Sequence, residues 1–178
     1  MRRAWAAGRR LGLALLGVLL VIAPLSGNPV AGEQEERRIQ VGIKLFPSLL
    51  AADRDIAHKR EAEGRLRLLL LYRDRREVAE RAAERLREVE KVRGIPIAVE
   101  VVSIDALAER AGDPFAGLFL TQRFGDGLAS VIELSRERQV VLFSPFEQDV
   151  ERGVLGGVLV SDRILPPRTI SMISMHDS

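Results

Sequence analysis

The sequence predicts an α/β fold, in the form of a small three-layer domain whose mostly parallel sheet of about five strands is flanked by helices. Two observations support this. Short apolar runs alternate along the chain with longer amphipathic stretches, which is the pattern of βαβ units. The first run, Leu66–Tyr72, is almost continuously apolar, as expected of a strand that is covered on both faces.

Five segments are predicted to be strands because they are rich in aliphatic or aromatic residues and end at turn-forming residues. They are Leu66–Tyr72, Ile97–Val102, Phe115–Thr121, Val140–Phe143 and Val154–Val160. A further edge strand within Ile164–Met175 is an open alternative. Crossovers between parallel strands are right-handed in almost all such units. We expect the strand order 2-1-3-4-5.

Four amphipathic segments are predicted to be helices from the spacing of their apolar residues. They are Ile39–Ala57, Arg76–Val92, Ile104–Ala111 and Gly125–Glu137. Ser103 is a candidate N-cap for the third helix. In the second helix, Val89 belongs to the predicted buried stripe. Ion pairs are expected on its outer face between Glu77 and Arg81, Glu84 and Arg87, and Glu88 and Lys91.

The first 32 residues predict a secretory signal peptide. A start with four arginines precedes the apolar stretch Leu11–Leu25, and cleavage is expected after Gly32. The stretch has fifteen residues, whereas a membrane-spanning helix needs about 20. We therefore expect a periplasmic protein, with an inner-membrane anchor through residues 11–25 as the alternative. Residues 33–38 are then a charged linker, and residues 39–178 form a single domain.

Charge and composition exclude several classes of function. The whole chain carries a net charge of +2, but without the leader it has 23 basic and 25 acidic residues. The basic balance therefore belongs to the leader and does not indicate nucleic-acid binding. The chain has no cysteine, which excludes disulfides, thiolate zinc sites and a lipoprotein anchor. Its two histidines are isolated in the sequence, and no metal or cofactor is expected.

The carboxyl ends of the first and third predicted strands are the first candidate for a binding site. Ligands of open α/β sheets bind at the point where the strand order reverses. Arg73 and Asp74 follow the first strand, and Gln122 and Arg123 follow the third. Arg123 is a candidate for binding an anion beside the start of the next helix. The alternative is a polar loop that merely leads into that helix.

The stretch from Phe146 to Arg152 is the second candidate. On an extended chain, Glu147, Asp149 and Glu151 would face the same way and could bind a hard cation. They lack a calcium-loop pattern, however, and Arg152 lies beside them. The sequence shows no nucleophile with a suitably placed base, so no catalytic residue and no enzymatic activity are predicted.

The segments VLFSPFEQDVERGVLGGVLV and GIKLFPSLLAADRDIAHKREAEGRLRLLLLY resemble exported bacterial proteins of the YfiR-like type. The resemblance extends from Val41 to Leu165. It implies a periplasmic α/β protein without catalytic activity, which binds the periplasmic part of an inner-membrane diguanylate cyclase and restrains it. The family gives the segment Phe146–Gly153 no assigned chemistry. Relatives continue further beyond Leu165, so we expect a shortened C-terminus and an exposed apolar strip that favours a homodimer or another partner.

Two functions follow as expectations from the sequence. The first is a non-enzymatic periplasmic regulator that acts by contact with an inner-membrane protein, such as a diguanylate cyclase. The second, from a different class, is a small-solute-binding component of a transport or sensory system that uses the crevice between the first and third strands.

Overall fold

The computed structural model describes residues 29–154 and shows an α/β domain with a curled, mixed and mostly parallel five-stranded sheet. The strands are β1 (Leu66–Tyr72), β2 (Lys91–Val92), β3 (Ile95–Ser103), β4 (Gly117–Leu120) and β5 (Val141–Phe143). The helices are α1 (Pro29–Ala52), α2 (Arg76–Arg87), α3 (Leu107–Arg110), α4 (Leu128–Glu137) and α5 (Glu147–Glu151). Short 3₁₀ turns cover Ile56–Lys59, Ile104–Ala106 and Gly125–Gly127. The predicted fold class is confirmed.

The sheet order is β2-β3-β1-β4-β5. Strands β3, β1, β4 and β5 correspond to the second, first, third and fourth predicted strands, and they lie parallel in the predicted order. The two-residue strand β2 was not predicted, and it pairs antiparallel with the start of β3. Of the predicted fifth strand, Val154–Val160, only Val154 lies within the described residues. The segment Ile164–Met175 lies outside them, as does any strip at the C-terminus.

Strand β1 occupies the centre of the sheet because its side chains are buried on both faces. Leu66, Leu68 and Leu70 pack against α1 and α2, whereas Leu69 and Leu71 pack against α3 and α4. Successive side chains of β1 therefore enter two different apolar layers, as a nearly continuous apolar run predicts. Its one charged residue, Arg67, is buried and forms ion pairs with Glu100 at 2.9 Å and Asp113 at 3.4 Å.

Helix α1 packs across β4 and β5 through a cluster of aromatic rings. Phe46, Phe119 and Phe143 are buried, with ring centroids 5.3–6.0 Å apart. Gly42 allows α1 to approach closely, because a Cβ atom at this position would lie 2.8 Å from Cε1 of Phe143. The position of α1 over the ends of β4 and β5 is therefore fixed by side-chain packing.

The structure corrects the predicted start and end of the first helix. The predicted linker, residues 33–38, is helical, because α1 begins at Pro29, and α1 ends at Ala52 rather than Ala57. The charges that suggested a linker form contacts with α2. Glu35 pairs with Arg75, and Glu36 lies 3.2 Å from Arg81. The expected cleavage site after Gly32 lies within the helical segment, and residues 11–25 lie outside the described residues.

The second predicted helix was too long, because α2 ends at Arg87 and not at Val92. Positive φ angles at Glu90, Arg93 and Gly94 then turn the chain into the β2–β3 hairpin. Val89, which was predicted to be buried, is 37% exposed. Lys91 lies in β2 and so cannot form the predicted helical pair. The ion pairs on α2 that the described residues form join Arg76 to Glu80 and Arg81 to Glu36.

Candidate functional site

The carboxyl ends of β1 and β4 meet at one edge of the sheet, as predicted, and their loops are hydrogen-bonded to each other. Gln122 is buried, and its Nε2 donates to Oδ1 of Asp74 at 2.5 Å. Its Oε1 accepts a hydrogen bond from the backbone N–H of Arg75 at 3.2 Å. The crevice in which the sequence predicted a ligand is therefore bridged by the protein's own side chains.

Arg73 lies across the loop that leads into α4. Its guanidinium is 5.9 Å from the centre of the buried ring of Phe124. A Cβ atom at Gly127 would collide with the same guanidinium, so the glycine is what gives Arg73 room at this position. A ring face attracts a cation by a modest amount, about 0.5–1 kcal/mol at exposed sites. Arg73 therefore lies over Phe124 and close to Gly127 while its guanidinium remains exposed.

Arg123 is held in a similar way on the other side of the loop. Its guanidinium lies 5.6 Å from the centre of the ring of Phe146, which is fully buried. Neither Arg73 nor Arg123 forms an ion pair with a described residue. Each of these arginines therefore lies on a phenylalanine ring at the carboxyl edge of the sheet.

The prediction of an extended stretch from Glu147 to Arg152 is wrong, because Glu147–Glu151 forms α5. Residues two apart on a helix point in nearly opposite directions, whereas on a strand they share a face. Asp149 is accordingly buried, while Glu147 and Glu151 are exposed. The three carboxylates do not form a common cation site, and no cluster suited to a metal occurs among residues 29–154.

Asp149 fastens α5 to the end of β5. Its Oδ2 accepts a hydrogen bond of 2.5 Å from the hydroxyl of Ser144, whose oxygen also accepts the backbone N–H of Phe146 at 3.2 Å. Burial raises the pKa of the Asp149 carboxyl, although the Ser144 hydrogen bond and the charges of Arg123 and Arg152 partly offset this. Since the carboxylate is already occupied within the protein, its contacts support a structural role.

Arg152 connects α5 with the loop before α4. Its guanidinium donates to the carbonyl oxygen of Gly125 at 2.8 Å. The two candidate regions of the sequence are thus one surface in the structure. Arg73, Asp74, Gln122, Arg123, Phe146, Asp149 and Arg152 all lie along the carboxyl ends of β1, β4 and β5, with Glu147 and Glu151 on the exposed side of α5.

The structure adds residues from α1 that sequence reasoning missed. Arg38 and Glu35 line a small cleft together with Gln34, Arg123 and Phe146. Glu35 forms an ion pair with Arg75, whose pKa is raised chiefly by that hydrogen bond. These residues were overlooked because their segment was assigned to a linker. The signal that could have found them is helix propensity, because residues 33–38 consist only of Glu, Gln and Arg.

Comparison with protein-family models, curated proteins and solved structures finds no match to this chain. The resemblance to YfiR-like proteins therefore rests on the sequence segments alone. Within residues 29–154, no helix combines the length and the apolar character needed to span a membrane.

Proposed function

We propose that this protein is a non-enzymatic periplasmic regulator that binds the periplasmic part of an inner-membrane protein. The sequence resemblance to the YfiR-like type suggests a diguanylate cyclase as that partner. The contact surface in this proposal is the carboxyl edge of the sheet, defined by Arg73, Arg123 and Arg152 and called the arginine edge below.

The observation that carries the proposal is that these three arginines have no carboxylate partner among the described residues. None of them forms an ion pair with a described residue, whereas Arg67, lower in the same sheet, pairs with two carboxylates. Two of the three lie over buried phenylalanine rings, a weak attraction that leaves their hydrogen-bond donors for another molecule. Arginine is over-represented in protein interfaces for this combination of charge, planarity and stacking.

Protein contact is favoured over solute binding by the closed crevice. The hydrogen bonds of Gln122 to Asp74 and to the backbone of Arg75 occupy the space where a solute would enter the sheet edge. Binding pockets for small molecules usually enclose about 300–1,000 Å³. The cleft beside Arg123 measures about 130 Å³, whereas larger open clefts lie away from this edge, such as one of about 590 Å³ beside Asp53 and Lys59. An exposed arginine edge suits electrostatic recognition of a partner, which governs association rate and specificity.

The test is recovery of the partner from cells that produce a tagged protein. Membranes are solubilised in mild detergent, and co-purified proteins are identified by mass spectrometry. The variant Arg73→Glu/Arg123→Glu reverses two charges of the arginine edge. Its matched control is Arg37→Glu/Arg85→Glu, which makes the same charge change at exposed arginines on α1 and α2.

We expect an inner-membrane protein to co-purify with the wild type and the control, but not with the arginine-edge variant. If the partner is a cyclase, cyclic-di-GMP should rise when the gene is deleted and fall again with the control only. Equal recovery with both variants would contradict the proposed surface. A solute that raises the melting temperature, with no membrane protein recovered, would support the solute-binding alternative instead.

A further inference from the structure

A small cleft separates the N-terminal half of α1 from the ends of β4 and β5. Gln34, Glu35 and Arg38 line it from α1, and Arg123 and Phe146 line it from the sheet. Its volume is about 130 Å³. Since a water molecule accounts for about 30 Å³ of liquid, the cleft has room for a group of a few heavy atoms rather than for a whole metabolite.

The charges of the cleft are unbalanced in favour of cations. Its one carboxylate, Glu35, already forms an ion pair with Arg75, and both carboxylate oxygens contact that guanidinium. Arg38 and Arg123 form no ion pair with a described residue. The buried carboxylate of Asp149 also attracts Arg123, but its hydrogen bond goes to Ser144. Two guanidinium groups therefore line a cleft whose acid is already engaged.

Both arginines belong to well-packed parts of the fold. The guanidinium of Arg123 lies over the buried ring of Phe146, 5.6 Å from its centre. Arg38 lies one helical turn before Gly42, where α1 packs directly against Phe143 and Pro145. A planar guanidinium binds a carboxylate through two parallel N–H···O bonds, and restraint of the side chain reduces the entropy lost on binding.

We propose that the Arg38–Arg123 cleft binds one carboxylate of an acidic side chain from the protein partner. This inference rests on the proposed function and deepens it by naming the chemical group that the arginine edge recognises. It assigns to Arg38, on α1, a direct binding role alongside Arg123. It also predicts that an acidic peptide competes with the partner for the cleft.

The test measures binding of a fluorescent peptide by anisotropy at low ionic strength. The probe is an eight-residue peptide with glutamates at alternate positions, and the reference peptide has glutamine in their place. The protein variants are Arg38→Ala, Arg123→Ala and Arg38→Lys, with Arg37→Ala as control. Arg37 precedes Arg38 on α1 and is exposed, so its removal changes the net charge equally without touching the cleft.

We expect the glutamate peptide to bind the wild type and the glutamine peptide to bind at least tenfold more weakly. Either alanine variant should weaken binding about tenfold or more, as loss of a charge-assisted contact does. Arg38→Lys should fall in between, because lysine keeps the charge but loses the planar fork. Arg37→Ala should stay within about twofold. Thermal unfolding of each variant identifies any that fails to fold, and Arg38→Lys provides a folded substitute.

The proposed cleft is wrong if Arg38→Ala and Arg37→Ala bind the glutamate peptide with equal affinity. It is also wrong if the wild type does not distinguish the glutamate peptide from the glutamine peptide. This outcome differs from failure of the proposed function. If recovery of the partner depends on Arg73 and Arg123 but not on Arg38, the proposed function stands and the proposed cleft is wrong. If peptide binding depends on Arg38 but no membrane protein is recovered, the proposed cleft stands and the proposed function is wrong.

Discussion

Replacing Gly42 by alanine should destabilise the protein by forcing α1 away from the sheet. The added Cβ would lie 2.8 Å from Cε1 of Phe143 and 3.2 Å from Cβ of Pro145, whereas ordinary contacts are 3.4–4 Å. The helix must therefore move outward by several tenths of an ångström. Overpacking of this kind costs about 1–3 kcal/mol. Alanine also recovers up to about 1 kcal/mol of helix propensity, which masks part of the cost.

A glycine outside the helix separates the two effects. A Cβ atom at Gly112, in the turn after α3, would meet no other atom within 4 Å, so Gly112→Ala reports the loss of glycine's backbone freedom without the collision. We expect Gly42→Ala to be less stable than Gly112→Ala by about 1–3 kcal/mol, or about 0.5–1.5 M in the urea midpoint.

The collision can be relieved by a smaller neighbour, which gives an independent check. Phe143→Leu removes the nearest contact atom, so Gly42→Ala should cost less in that background than in the wild type. Because Arg38 lies one turn away, Gly42→Ala should also weaken binding of the glutamate peptide. The packing argument is refuted if Gly42→Ala is as stable as Gly112→Ala in urea unfolding followed by circular dichroism.

Asp149→Asn should change how stability depends on pH. Burial raises the pKa of Asp149, so the folded state holds this proton more tightly, and stability falls as the pH rises from the unfolded value of 3.8 through the folded one. Asparagine should remove that loss, and urea unfolding from pH 3.5 to 8 checks it; a constant difference from wild type would contradict it. Glu35→Gln should lower stability by no more than about 1 kcal/mol, because its pair with Arg75 is partly exposed, yet leave peptide binding equal or tighter. Edman sequencing of periplasmic protein should begin after Gly32, whereas an intact N-terminus there would contradict the predicted cleavage.

The central sheet could be predicted because a strand that is buried on both faces has a nearly continuous apolar sequence. Leu66–Tyr72 is the plainest case, and its central position in the sheet agrees with its composition. The alternation of strands with helices predicted the parallel sheet, and the expected order of the four main strands is also confirmed. Ser103 was also correctly predicted as a cap, since its Oγ accepts the backbone N–H of Asp105 at 3.2 Å.

The errors have a common physical cause, which is that charged residues were interpreted locally. Residues 33–38 resembled a linker because their partners, such as Arg81, lie about 45 positions further along the chain. Glu147–Glu151 resembled an extended stretch because its acids alternate, although on a helix Asp149 faces Ser144 and its neighbouring acids face solvent. Strand β2 is two residues long and depends on the turn at Arg93 and Gly94 rather than on apolar content. Only the ion pairs of residues 33–38 depend on contacts that a local pattern does not contain.

The contact of Gly42 with Phe143 and Pro145 also affects how the chain folds during synthesis. The first described helix packs on the last described strand, about a hundred residues later in the chain. At 5–20 residues per second, roughly 5–20 s pass before that surface has been synthesised. Until both β4 and β5 have followed, Phe46 and Leu50 of α1 lack the complete surface on which they pack. Long-range contacts of this kind slow folding, so the nascent chain spends this interval open to chaperones.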